Sequence, residues 1–263
     1  MSERLSRADR RTLQRLDQQI LSQPLYMGND PRPAAAHVRH MVHLLRSPQS
    51  DSPCSEAVAH ITSLLDRTVP DQATKMVACR KGCSSCCTQP VVVTAPEAFW
   101  VAAQIRKRPK AVEAVKHAAA TIGHLPLQER LNAHQFCPML DAALCSIYAG
   151  RPIGCRGFVS VDLDACLKMF VSAKPTDIPM PNDTVQVLYA TRMLLLAALR
   201  LLGLPDAAYE MNSILAVILS EQNAEARWLA GENLFAALDA GSPPPTQFDQ
   251  AINAMAQHVA PTI

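Results

Sequence analysis

The sequence predicts a mostly α fold: a helical bundle with an inserted loop-rich, cysteine-rich module. Three observations carry this. Glycine is scarce, 9 in 263 residues, while alanine and leucine abound, which suits helices and disfavours glycine-rich phosphate loops. Apolar residues recur at helical spacing in residues 1–75 and again in 176–263. Between them, Cys79 to Cys166 holds eight of the nine cysteines in a stretch with little periodicity. At 49% hydrophobic and 18% charged, the chain can fill a core. A net charge of +2 and 5% aromatics point away from nucleic acid, since neither a basic footprint nor a base-stacking platform is present.

The elements follow in order. In residues 1–75, Leu5, Leu13, Leu16 and Ile20 fall near a 3.6 period and mark a first helix. The segment SQPLYMGNDPRP breaks it, and further helices follow over about Ala34–Arg46 and Ser55–Arg67. In residues 76–175, Val91–Val93 is a short strand or an extended entry to a helix. Thr94-Ala-Pro-Glu97 reads as a capping box, with Thr94 capping the first amides and Glu97 reaching back to the Thr94 amide. That helix runs to about Lys107, and another covers Lys110–Ile122. In residues 176–263, Asn182 or Asp183 caps a helix ending at Gly203-Leu204-Pro205. Asp206 caps the next, to about Ser220; another spans Ala224–Asp239; Gly241-Ser-Pro-Pro-Pro links to a last short helix.

The stretch Leu188–Leu219 is apolar on all sides, so it belongs at the centre of the bundle or at an interface with a protein partner. Its most apolar run, Met193–Leu199, meets Arg200 and falls short of the ~20 residues of a membrane span. The charged N-terminus lacks the apolar core of a secretory signal. A cytoplasmic setting without membrane attachment is therefore expected, where thiols stay reduced and dense cysteines bind metal.

The first cysteine group is Cys79-Arg-Lys-Gly-Cys83-Ser-Ser-Cys86-Cys87. Such a loop can turn its sulfurs inward around one metal centre, and Gly82 permits the positive φ that the turn needs. Arg80 and Lys81 offset negative charge and lower thiol pKa. The second group is looser: Cys137, Cys145, Cys155 and Cys166, with Arg151 and Arg156 flanking Cys155. Those two arginines either hold an anionic ligand or cluster charge, or pair with Asp141, Asp162 or Asp164. Cys54 stands apart.

Together, Cys79-x3-Cys83-x2-Cys86-Cys87, then Cys137-Pro-x-Leu and Cys145-Ser-Ile-Tyr-x2-Arg-Pro-x2-Cys155-Arg, resemble the CxxCxxCC cysteine-cluster (YkgJ-like) family, described as zinc- or iron-chelating. The resemblance covers about residues 76–170, and Cys166 after Arg156-Gly-Phe-x-Ser-x-Asp fits it too. The first gap here is three residues rather than two. The resemblance implies metal binding and no particular reaction. Eight thiolates could make two tetrahedral zinc sites, or hold one iron–sulfur cluster with spares. The tight loop with widely spaced helper cysteines favours the cluster.

Other groupings weigh less. Cys79-x3-Cys83-x2-Cys86 has radical-SAM spacing, but no series of βα units accompanies it. His37, His40 and His43 could share a metal on one helix face; packing or surface roles are favoured, since no carboxylate completes the set. His117, His124 and His134 are read as solvent-facing and Tyr148 as packing. Asp162 and Asp164 are too common a pattern to weigh, and Ser84 and Ser85 are read as loop hydrogen-bonders rather than nucleophiles. The sequence thus points to a cytoplasmic metal-binding protein for redox, sensing or metal handling. The alternatives are a cluster-dependent modification enzyme and a structural zinc adaptor that presents helices to a partner.

Overall fold

The computed structural model describes residues 6–263 except Met27, Pro48 and Ala173. Leu5, the first residue of the expected apolar stripe, lies outside them, as does Met27 in the expected break. Helix dominates, as the composition requires. Helix α1 (Arg7–Leu21) opens on a capping box in which the Asp9 amide donates to Ser6 Oγ at 3.1 Å and the Ser6 amide to Asp9 Oδ2 at 3.2 Å. Helices α2 (Arg32–Leu45) and α3 (Pro53–Thr68) each carry proline in the first turn, where its missing N–H costs nothing. A short α4 (Asp71–Met76) leads into the cysteine module.

The module begins with a 3₁₀ turn at Ser85–Thr88, then strand β1 (Val92–Thr94), helices α5 (Ala95–Ile105), α6 (Pro109–Ile122) and α7 (Leu127–Asn132). A small hairpin of β2 (Leu140–Asp141) and β3 (Leu144–Cys145) follows, then α8 (Ile153–Gly157) and α9 (Leu163–Phe170). The chain returns to the bundle with α10 (Asn182–Leu202), β4 (Ala208–Glu210), α11 (Met211–Ser220), α12 (Ala224–Leu229) and α13 (Thr246–Val259).

Helix α10 packs against α2, α3 and α13, while α11 packs against α5 and α6. One hydrophobic core runs through all three stretches of the chain, from Met41 and Ile61 through Phe99 and Ile153 to Leu195, Leu215 and Trp228. The apolar stretch 188–219 earns its burial there, since Leu194–Leu199 are buried. By length and mean hydropathy (1.5), α10 would pass for a membrane span, and 44% of that apolar window is buried inside the protein.

Four local expectations differ from what is observed. The N-cap position of α10 is Pro181, and Asn182 is already helical, without a side-chain cap. Asp206 is drawn 2.6 Å from Arg200, so α11 is capped instead by Glu210, whose carboxylate accepts from the Asn212 and Ser213 amides. The helix expected over 224–239 stops at Leu229, where Gly231 (φ 93°) turns the chain. The final helix, α13, is 14 residues long. The strand at Val92–Thr94 also has a partner that local pattern did not disclose: β1 pairs antiparallel with β4, Val93 facing Tyr209.

Candidate metal centre

Six of the eight clustered cysteines border one cavity of about 470 Å³: Cys83, Cys86, Cys87, Cys137, Cys145 and Cys155. They arrive from separate segments, and the backbone explains how. Gly82 takes φ 83°, as a tight turn demands, and the Cys83 amide donates to the Arg80 carbonyl at 3.0 Å. The 3₁₀ turn that follows sets Cys86 and Cys87 side by side. The Cys137 amide donates to the Cys87 carbonyl at 2.7 Å, which ties the second cysteine group directly to the first. Cys145 comes in on β3, paired with Leu140.

Cys155 is placed by a buried carboxylate. Thr94 opens α5 with a capping box, in which the Thr94 amide and hydroxyl donate to Glu97 Oε2 at 3.0 and 2.8 Å. The other oxygen, Oε1, accepts from the Ile153 amide at 2.9 Å, at the start of the short helix that carries Cys155. Glu97 is 0% exposed, so these three donors replace water completely. The sequence disclosed the cap; nothing local to Glu97 disclosed the link to Ile153.

The remaining two cysteines lie outside the cavity lining. The Cys79 sulfur accepts from the Ser160 amide at 3.5 Å, and the Ala78 amide donates to the Ser160 carbonyl at 2.7 Å. Cys166 is buried on α9, with Cys79, Cys86 and Cys83 as its charged-form neighbours. Cys54 sits in the core on α3, fully buried, with its amide on Glu225.

The thiols influence one another. A shared hydrogen between the vicinal pair pushes the Cys86 thiol up and holds Cys87 below the ordinary thiol range. Burial pushes Cys137 up to about 11 and also raises Cys155, with Cys137 and Cys86 adding to the latter. Arg151 acts oppositely on Cys86 and Cys155, favouring their thiolates. The protonated form is thus favoured at Cys86, Cys137 and Cys155, and the thiolate at Cys87. Among the described residues, no three His, Cys, Asp or Glu side chains already stand in ligand geometry. The donor set suits a soft metal: six cysteine sulfurs border the cavity, and no carboxylate or histidine is in its lining. Six cysteines exceed the four that a tetrahedral zinc or an iron–sulfur cluster takes.

The other expected residues take definite places. Arg151 borders the cavity, its guanidinium carbon 3.8 Å from the centre of the Tyr148 ring, and Tyr148 is exposed. Arg156 reaches elsewhere, to Asp66 at 2.6 Å and to the Ala149 carbonyl. Asp162 caps α9 through the Ala165 amide, and the Ser85 hydroxyl lies 4.0 Å from the Cys83 sulfur. His117 and His124 are exposed, while His134 Nδ1 lies 3.0 Å from the Phe170 carbonyl. His37 is fully buried, with Nδ1 3.0 Å from Nε2 of His60, a residue the one-helix reading did not include.

A comparison with protein families matches residues 78–176 to the model CxxCxxCC, described as a putative zinc- or iron-chelating domain. This is the family that the cysteine pattern resembles, and its description agrees with zinc or iron as the bound metal. No curated protein and no solved structure matches the chain.

Proposed function

Starting from residues 78–176 as a cysteine-cluster domain of the zinc- or iron-chelating CxxCxxCC family, we propose that the chain is a cytoplasmic metal-binding protein that holds an iron–sulfur cluster for redox, sensing or metal handling. The observation that carries this is the convergence of Cys83, Cys86, Cys87, Cys137, Cys145 and Cys155 on one cavity. Four thiolates ligate either a cluster or a tetrahedral zinc, so six gathered sulfurs satisfy both; the tight loop joined by widely spaced helper cysteines is what favours the cluster. A bound cluster supplies electron transfer; zinc would supply a structural tie or Lewis acidity. The chain's own part is to keep the thiols assembled and reduced, and to release their protons as metal enters, so affinity rises with pH.

The test is metal and acid-labile sulfide analysis, with an absorption spectrum, on protein purified without air. We expect iron, sulfide and a broad band near about 400 nm. Stoichiometric zinc without colour would overturn the cluster and leave the metal centre standing. Neither metal on folded protein would overturn both. In the same assay Cys155→Ser should lose most of the metal. Cys54→Ser should keep it, at a cost of roughly 1–3 kcal/mol for burying a hydroxyl in the core.

A further inference from the structure

We propose that the cysteine chamber also binds an organic anion, an apolar body carrying a carboxylate, phosphate or sulfonate, beside its metal. The inference rests on the metal reading above but is tested separately from it. The first support is space. A cavity of about 470 Å³ falls in the usual range for small-molecule pockets, ~300–1,000 Å³, and its lining extends past the six sulfurs to 14 other residues. The second is the wall. Apart from the sulfurs it is largely apolar, with Met139, Leu140, Ile147 and Met211 among the lining residues.

The third support is charge. Arg80, Lys81 and Arg151 border the cavity and no acidic side chain does. Arg151 is held ready: its guanidinium lies over the Tyr148 ring at 3.8 Å, and its Nε donates to the Tyr148 carbonyl at 3.1 Å. Among the described residues it makes no ion pair, and its two terminal nitrogens carry no hydrogen bond. Arg156, five residues on in α8, is by contrast taken up by Asp66. A pre-positioned fork of this kind fits a carboxylate or phosphate through charge-assisted hydrogen bonds. The ligand's apolar part then covers Met139, Ile147 and Met211.

The experiment titrates 8-anilinonaphthalene-1-sulfonate, an apolar aromatic sulfonate, into the metal-loaded protein. Fluorescence reports the dissociation constant, and metal content is measured on the same samples. We expect saturable binding near one equivalent, weakened roughly tenfold or more in Arg151→Gln at unchanged metal content. A control variant, Arg192→Gln, alters the second large apolar cavity, beside Tyr189 and Phe248, and should leave binding unchanged. Equal binding by wild type and Arg151→Gln overturns the proposal, as does loss only in Arg192→Gln. Loss of metal in Arg151→Gln would make the guanidinium a counter-charge to the thiolates; that overturns the anion site and leaves the metal centre intact. Absence of metal from wild type would instead remove the underlying reading.

Discussion

Glu97 holds three hydrogen-bond donors on its two oxygens, with no exposure to water. Glutamine keeps one acceptor oxygen and turns the other into a donor, so Glu97→Gln faces the Ile153 amide or the Thr94 groups with an N–H. An unpaired buried donor costs about 1–3 kcal/mol. The expected result is that loss in denaturant unfolding, with weaker metal retention because the helix of Cys155 loses its anchor. Unchanged metal affinity would remove Glu97 from the placement of Cys155. This residue also shows where sequence reading stops. Thr94-x-x-Glu97 is a local signal and was legible as a cap; the Ile153 amide comes from a distant segment. The cysteines behave alike. Their spacing announced a metal centre, yet the division into six around the cavity and two beside it depends on backbone bonds such as Cys137 to Cys87.

Among the elements, the β2–β3 hairpin is the least expected. Its turn residues, Ala142 and Ala143, both take positive φ (45° and 65°), where asparagine and glycine are the usual occupants. Without that signal the hairpin was invisible in the sequence. An alanine in the left-handed region costs roughly 1–2 kcal/mol, and glycine returns part of it as chain entropy. Ala143→Gly should therefore raise stability by about 0.5–1 kcal/mol in chemical denaturation; a fall would refute the turn geometry. Helices α2 and α3 make a second prediction through His37, His40 and His60. Burial lowers all three, His37 to about 4 and His60 to about 3, while Arg67 also disfavours charge on His37 and His60, and Asp17 favours it on His37 and His40. Native values below the ordinary ~6.5 mean that the unfolded chain binds protons first. Stability is full above about pH 6.5 and falls as pH drops toward 4. Denaturant midpoints at pH 7 and pH 5 measure this, and His60→Gln should flatten the difference. Helices with clean 3.6 periods, α2 and α3, were legible; the helix expected over 224–239 was not resolved from the turn that Gly231 imposes.

At the scale of the molecule, one core joins all three stretches, so the cysteine module does not stand on its own packing. Strand β1 leaves the first cysteine loop and finds its partner only in β4, just ahead of Met211, which lines the cavity. Synthesis therefore delivers the clustered thiols, and all of the cavity lining but Met211, before β4 has emerged. Until residues 208–211 have emerged, β1 lacks its partner and the cavity lacks Met211 from its wall, so the expected order is that the cavity closes over its thiols only after β4 has docked. A chain stopped at residue 205 should have Cys137 and Cys145 alkylated at the rate of an unfolded peptide, while the full chain protects them. Equal protection in both would place closure earlier. On that expectation, the last part of the polypeptide to be made sets when the earliest sulfurs are sheltered.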